Sequence, residues 1–199
     1  MTQPASNALD RRAVVRTLLA DRGELLVVAG LGSSAWDCAA AGDDPRTFHL
    51  WGAMGSAAMI GLGLALARPS QRVLVVTGDG EMLMGLGSLA TIGAQQSGNF
   101  SLVVLDNERY GETGMQKTHT ALGVDLAAMA LAAGFKAASV VREMEQAPAL
   151  RHDIHHAAGP LFAQVKIAAD KPPLVLPPRD GTHLKHRFRQ ALLGDAAFS

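Results

Sequence analysis

The stretch Val73-Leu74-Val75-Val76-Thr77-Gly78-Asp79-Gly80 decides the fold of this chain. Its first five residues form a short run that is rich in β-branched side chains and carries no charge. This pattern predicts a strand buried inside a parallel sheet. The Gly-Asp-Gly tripeptide follows at the carboxyl end of that strand. Because open α/β folds bind their ligands at this edge of the sheet, Asp79 is predicted to face a ligand site.

A second apolar run, Leu102-Val103-Val104-Leu105, ends in Asp106-Asn107, and 26 residues separate Gly80 from Asn107. A helix predicted from Met82 to about Gly93 returns the chain so that the two strands run parallel. One carboxylate and one amide oxygen therefore meet at the same sheet edge, beside glycines that let backbone amides approach a phosphate. Mg²⁺ bound to a diphosphate favours such a site, with few protein oxygens and the rest from phosphate and water.

A Gly-Asp-Gly tripeptide alone is also typical of ordinary turns. With the strand-helix-strand frame and the asparagine at this spacing, however, the chain resembles the thiamine diphosphate enzymes. The resemblance implies that Asp79 and Asn107 are the side-chain ligands of Mg²⁺ and that the carbonyl of Arg109 is the third protein ligand. It also implies that the backbone of Gly80 and Glu81 holds the diphosphate.

The stretch His49-Leu50-Trp51-Gly52-Ala53-Met54-Gly55-Ser56 gives an independent match. In the thiamine diphosphate enzymes a bulky side chain between two glycines wedges between the two rings of the cofactor. By this resemblance Met54 is the wedge and the carbonyl of Gly52 accepts a hydrogen bond from the aminopyrimidine ring. The simpler alternative is that Met54 fills a gap in the core, as methionines usually do.

The wider similarity covers roughly residues 25 to 167 and is to the sulfopyruvate and phosphonopyruvate decarboxylase family of 2-oxo acid decarboxylases. In that family the two thiamine domains lie on one polypeptide or on two subunits, and this chain resembles the subunit that carries the pyrophosphate domain. It departs from the family pattern at Glu81, Glu108-Arg109 and His119, which border the cofactor and the substrate. The resemblance implies a decarboxylase for a small anionic 2-oxo acid.

The glutamate that activates the aminopyrimidine ring belongs to the pyrimidine domain in this superfamily, and no glutamate here lies in such a pattern. We therefore expect the chain to be inactive alone and to work with a pyrimidine-domain subunit, most simply as an α2β2 assembly. Two alternatives remain open at this point. One is a carboligase or lyase subunit of the acetolactate synthase type, and the other is a non-catalytic subunit that binds thiamine diphosphate.

Three other signals compete with this interpretation. Gly30-Leu31-Gly32-Ser33-Ser34-Ala35 fits the loose dinucleotide pattern, but the acidic residue expected about 20 residues later is missing. We interpret it as a loop facing the cofactor, with Ser33 and Ser34 as donors. His152, His155 and His156 have helical spacing, and a solvated helix face is the better explanation than zinc. His119 either borders the substrate or lies on an exposed loop.

The predicted site residues fall into three groups. Met54 and His119 are the candidate catalytic residues, and Asp79, Asn107 and Arg109 are the candidate metal ligands. The candidate cofactor-binding residues are Ser33, Ser34, Gly52, Ala53, Met54, Gly78, Gly80, Glu81, Tyr110, Gly111 and Thr113.

Alternation of strands and helices along the chain predicts an α/β fold, a doubly wound, mostly parallel sheet with helices on both faces. Residues 1–171 form the predicted domain, with a leader helix within residues 1–22. Residues 172–199 form a proline-rich, basic tail with a helix over His183 to Leu193, which docks on a partner or frays.

Charge balance and composition argue against nucleic-acid and membrane partners. The 18 Lys and Arg balance the 18 Asp and Glu, which argues against a nucleic-acid surface. Leu50 to Ala67 is an uncharged span at the lower limit of transmembrane length, but its glycines and serines indicate a buried helix instead. With one cysteine and no targeting segment at its start, we expect a cytoplasmic protein without membrane or nucleic-acid partners.

Overall fold

The computed structural model describes residues 8–198 of the chain; residues 1–7, part of the predicted leader segment, and Ser199 lie outside the described residues. The strands are β1 (Leu26–Ala29), β2 (Thr47–His49), β3 (Val73–Gly78), β4 (Phe100–Asp106), β5 (Arg109–Tyr110), β6 (Gln116–Lys117), β7 (Ala137–Val141) and β8 (Leu161–Lys166). Six of them form one sheet in the order β2-β1-β3-β4-β8-β7, and every neighbouring pair is parallel. β5 and β6 pair separately as a small antiparallel hairpin.

Helices cover both faces of this sheet. They are α1 (Arg11–Leu18), α2 (Ser33–Ala40), α3 (Ala57–Ala67), α4 (Asp79–Met84), α5 (Ser88–Gln95), α6 (Leu126–Ala132), α7 (Ala147–His156) and α8 (Gly181–Leu193). α1, α2 and α7 pack on one face, and α3 to α6 pack on the other, so the sheet separates two apolar cores. The predicted fold class is confirmed. Within the described part of the chain, no helix has the length and apolar character needed to cross a membrane.

Two predicted helices have different limits in the structure. The helix predicted from Met82 to Gly93 is two helices, α4 and α5, because the chain breaks at Gly85-Leu86-Gly87. A Cβ atom on Gly85 would lie 2.1 Å from the carbonyl oxygen of Gly55, so the two backbones touch here and only glycine fits. The buried helix expected within Leu50 to Ala67 begins only at Ala57, since Gly55 has a φ of 94° that no helix allows.

The proline-rich tail folds back onto its own domain. Leu184 of α8 is buried, and the ring of Phe188 packs against Phe48 of β2 with 5.4 Å between centroids. Arg187 donates to both carboxylate oxygens of Asp43 at 2.7 and 2.8 Å. The sequence analysis expected this helix to dock on a partner or to fray, and the structure shows neither, because α8 packs against the edge strand β2 of its own domain.

His49 is buried beneath this contact. It is 2 % exposed, and neither ring nitrogen has a hydrogen-bond partner among the described residues. Burial, together with the positive charge of Arg187, lowers the pKa of His49 to about 4, while Asp43 opposes the shift. The imidazole is therefore neutral in the folded protein at neutral pH.

We predict that His49 makes stability depend on pH. An unfolded histidine has a pKa of about 6.5, so the unfolded state takes up the proton first as the pH falls. The free energy of unfolding should keep its full value above pH 6.5 and lose up to about 3 kcal/mol between pH 6.5 and 4. Urea unfolding at several pH values should show a smaller loss in His49→Leu than in the wild type. The exposed His183→Leu serves as control, and equal losses in all three proteins would contradict a buried neutral imidazole.

Candidate active site at the carboxyl edge of the sheet

One cavity joins the two halves of the sequence motif. Gly78, Asp79 and Gly80 line it from the end of β3, and Asn107 and Arg109 line it from the end of β4. Asp79 is the first residue of α4 and is almost completely buried. The other residues that line the same cavity are Arg11, Leu31, Ser33, Ser34, Met54, Glu81, Leu105, Tyr110, Gly111, Glu112 and Thr113.

Most of the predicted site residues thus lie together, and three do not line this cavity. Gly52 and Ala53 are exposed on the loop before Met54. His119 is also exposed, at the start of a short 3₁₀ turn that runs to Leu122. Its neighbours Thr118 and Thr120 point inward and are buried, which leaves the His119 side chain on the outer side of the segment.

The two buried threonines connect two carboxylates. The hydroxyl of Thr118 donates to Oδ2 of Asp79 at 2.6 Å. The hydroxyl of Thr120 lies 2.8 Å from Oδ1 of Asp106 and 3.3 Å from Oδ2 of Asp79. Asp79 and Asp106 are therefore held side by side through hydroxyl groups, and the threonine bonds leave Oδ1 of Asp79 unused.

The environment shifts the pKa values of these two carboxylates in opposite directions. Burial raises the pKa of Asp79 to about 6 with help from the nearby charge of Asp106, although the hydrogen bond from Thr118 opposes the shift. Burial also penalises the charged form of Asp106, but hydrogen bonds from Lys166, Gln164 and Thr120 outweigh that penalty and lower its pKa. Lys166 bonds Oδ2 of Asp106 at 2.8 Å. Asp106 thus stays ionised, whereas Asp79 is a carboxylate that gains from a nearby cation.

The Glu81 carboxylate bonds to residues outside the metal-binding motif. Its Oε2 accepts hydrogen bonds from the hydroxyl of Thr77 at 2.8 Å and from the backbone of Leu31 at 3.1 Å. Its Oε1 is buried without a hydrogen-bond partner among the described residues, and burial raises the pKa of the group. A Cβ atom on Gly30 would lie 2.1 Å from Oε2. The first glycine of the dinucleotide-like pattern therefore leaves room for the Glu81 carboxylate.

Met54 is held at the cavity by its own loop. Ala53 and Gly55, on either side of it, have φ values of 57° and 94°. Gly55 packs against the backbone of Met84 and Gly85, which fixes the loop to the end of α4. The Met54 side chain is half-buried and lines the cavity with Asp79.

Arg11 is a cavity residue that sequence reasoning missed. It is the first residue of α1, it is 4 % exposed, and its Nε donates to Oδ2 of Asp37 at 2.6 Å. A signal was present in the sequence, because Arg11 lies on the same helix face as the buried Val14, Val15 and Leu18. A charged residue on the apolar face of a helix needs a buried partner or a function.

The residues present suit a magnesium ion with a diphosphate. Asp79 and Asn107 offer a carboxylate and an amide oxygen at one cavity, the hard oxygen donors that Mg²⁺ prefers. Gly80 adds a backbone that a side chain would block, because its Cβ would lie 2.7 Å from the ring of Tyr110. No cluster of three His, Cys, Asp or Glu side chains able to hold a metal occurs among residues 8–198. The three histidines of α7 do not form such a cluster.

This fold and this site define a thiamine diphosphate-binding domain. Residues 31–165 match the family model of the thiamine pyrophosphate enzyme C-terminal TPP binding domain, and the chain belongs to that family. It is 36 % identical over 189 residues to the sulfopyruvate decarboxylase subunit beta of Methanothermobacter thermautotrophicus, covering 94 % of this chain and 97 % of that protein. It is 45 % identical over 128 residues to the phosphonopyruvate decarboxylase of Streptomyces viridochromogenes, covering 64 % of this chain and 32 % of that protein.

Solved structures agree with the fold. The benzoylformate decarboxylase of Polynucleobacter necessarius superposes with a TM-score of 0.69 at 21 % identity, over 87 % of this chain and 36 % of that one. A thiamin diphosphate-dependent enzyme from Mycobacterium smegmatis gives 0.67 at 20 % identity, over 79 % of this chain and 32 % of that one. The chain thus spans about a third of these longer proteins and nearly the whole of the archaeal beta subunit.

We predict that the threonine bridge stabilises the fold. Thr120→Val removes the hydroxyl that donates to the buried Asp106 and also lies 3.3 Å from Asp79, and a buried acceptor left without its donor costs about 1–3 kcal/mol. Urea unfolding at pH 7 should show that loss in the free energy of unfolding. The matched control is Thr113→Val, since the Thr113 hydroxyl bonds Gln116 at an exposed position. Losses of equal size in the two variants would refute the bridge.

Proposed function

We propose that this chain is the pyrophosphate-domain subunit of a thiamine diphosphate- and Mg²⁺-dependent decarboxylase. Its substrate would be a small anionic 2-oxo acid of the sulfopyruvate or phosphonopyruvate type. The observation that carries this proposal is the cavity that Asp79 and Asn107 line together from the ends of neighbouring parallel strands. The coverage of almost an entire sulfopyruvate decarboxylase beta subunit supports the choice of substrate class and of a subunit.

Each group of residues has a separate task in this proposal. Asp79 and Asn107 would hold Mg²⁺ through their side-chain oxygens, and Arg109 would add its carbonyl oxygen. The buried position of Asp79 and its raised pKa make a divalent cation a favourable neighbour. The diphosphate would bind at the start of α4 and along the facing wall of the cavity, through Gly78, Gly80, Glu81, Ser33, Ser34, Tyr110, Gly111 and Thr113.

The bound cofactor supplies an electron sink for the electron pair that is left when a 2-oxo acid loses carbon dioxide. The protein supplies binding and orientation. Met54 would set the angle between the cofactor rings, the carbonyl of Gly52 would accept from the aminopyrimidine, and Ala53 would shape the loop between them. We place His119 on the substrate side as a catalytic residue. Because its side chain is exposed here, it would act against a surface that a second subunit completes.

A partner subunit would supply what this chain lacks. The ring-activating glutamate is expected from a pyrimidine domain, and Glu81 is already hydrogen-bonded to Thr77 and Leu31.

Two surface segments near the Met54 loop are also unusually apolar. Sequence ranges 50–67 and 82–99 contain no charged residue, and Met59, Ile60, Leu66 and Met84 are exposed on them. An apolar surface of this kind marks an interaction site. We infer an α2β2 assembly in the cytoplasm.

We predict that Asp79 is essential for cofactor binding. In Asp79→Ala the diphosphate loses its bridging cation, so the affinity for thiamine diphosphate with Mg²⁺ should fall by at least about 100-fold. Asn107→Ala removes a neutral ligand and should cost about 10-fold. Isothermal calorimetry measures both affinities, with the exposed Glu145→Ala as control. Unchanged affinity in Asp79→Ala would refute the assignment of the metal site.

We predict that the apolar surface of α3 binds the pyrimidine-domain subunit. The chain should be co-expressed with a candidate subunit, and mass measurement should find an α2β2 complex that decarboxylates sulfopyruvate or a related acid. Leu66→Asp should dissociate this complex. Leu131→Asp on α6 is the matched control, because both leucines are 51 % exposed. A stable wild-type monomer that decarboxylates without a partner would overturn the subunit proposal, and turnover that requires a carbonyl acceptor would indicate a carboligase.

A further inference from the structure

Arg11 brings a buried cation to the wall of the proposed cofactor cavity. It begins α1, outside the matched family region of residues 31–165, and it is 4 % exposed. The cavity that it lines is the one lined by Asp79 and Asn107. A guanidinium in this position cannot lose its proton, so its charge must be balanced inside the protein or by a ligand.

The protein balances this charge only in part. Asp37 of α2 is buried and accepts from Nε of Arg11 at 2.6 Å. The same carboxylate faces a second guanidinium, since Nε of Arg12 lies 3.5 Å from its other oxygen. Burial raises the pKa of Asp37 even though both arginines oppose the shift, so the carboxylate gives at most one negative charge. Two cations against one anion leave this cluster with an excess of positive charge beside the cavity.

The carboxylates on the cavity wall do not pair with Arg11. None of Asp79, Glu81 and Glu112 forms an ion pair with Arg11 within 4.0 Å in the described structure. Asp79 is bonded by two threonines, and Glu81 is bonded by Thr77 and Leu31. Asp37 accepts the one hydrogen bond that the Arg11 guanidinium makes to a described residue, which leaves its other nitrogens for a ligand in the cavity.

We propose that Arg11 binds the diphosphate of the cofactor, with Asp37 as the positioning residue that holds its guanidinium. This inference rests on the proposed function. A guanidinium matches phosphate oxygens with charge-assisted hydrogen bonds and keeps its charge at any physiological pH. A diphosphate carries more negative charge than one Mg²⁺ neutralises at neutral pH, and Arg11 supplies a fixed positive charge for the remainder. The leader helix is therefore part of the binding site as well as of the core.

The test compares two adjacent arginines by calorimetry on the full chain. Arg11→Gln should weaken binding of thiamine diphosphate with Mg²⁺ by about 10- to 100-fold, the usual effect of losing a charged hydrogen bond. It should weaken thiamine monophosphate less, and the dependence of the affinity on KCl concentration should become shallower. Arg12→Gln removes the same charge from the cluster, but Arg12 does not line this cavity. It should change the affinity less than about 3-fold.

A second variant covers the case in which Arg11→Gln fails to fold. Arg11→Gln with Asp37→Asn removes both charges and keeps two side chains that can bond each other, and it should show the same loss of affinity. Wild-type affinity in either folded variant, together with loss of binding in Asp79→Ala, would overturn this inference and leave the proposed function intact. Equal losses in Arg11→Gln and Arg12→Gln would also overturn it. A wild-type chain that binds no thiamine diphosphate would defeat the proposed function and this inference together.

Discussion

Parallel pairing of β3 with β4 is the constraint on which the site depends. The register places Gly78 beside Leu105, so the next residues, Asp79 and Asp106, bring two carboxylates to adjacent positions at the sheet edge. Two buried carboxylates this close repel each other unless protons, hydroxyls or cations separate them. The chain solves the problem with Thr118 and Thr120 between the two groups. Lys166 and Gln164 satisfy Asp106 from β8, which leaves Asp79 as the carboxylate available to a cation in the cavity.

The sequence predicted the parts of this arrangement that depend on local pattern. Short uncharged runs identify β3 and β4, and the spacing between Gly80 and Asn107 identifies the edge where they end. The break between α4 and α5 could not be predicted in this way, because it results from the contact of Gly85 with Gly55, 30 residues away. A sequence shows that both are glycines but not that their backbones touch.

The same limit applies to the site. Asp79, Asn107 and Met54 belong to motifs, and the structure places them at one cavity. Arg11 belongs to no motif, and only the packing of α1 beside α2 brings it there. In the segment around His119, the sequence pointed to a residue whose side chain is exposed in the structure. The sequence analysis singled out the histidine, but the buried and hydrogen-bonded side chains are its two threonine neighbours. No sequence pattern identifies these hydroxyls, because their role depends on the positions of Asp79 and Asp106 in the fold.

The docked tail has a consequence for solubility as well as for folding. β2 is only three residues long and lies at the margin of the sheet, where backbone groups lack a neighbouring strand. An uncovered margin of this kind is a template for pairing with another chain, and proteins commonly block it with a helix. Here α8 does so, held by Phe188 and Arg187. α8 thus blocks the pairing of β2 with a strand from another chain, at the edge of the sheet opposite β7.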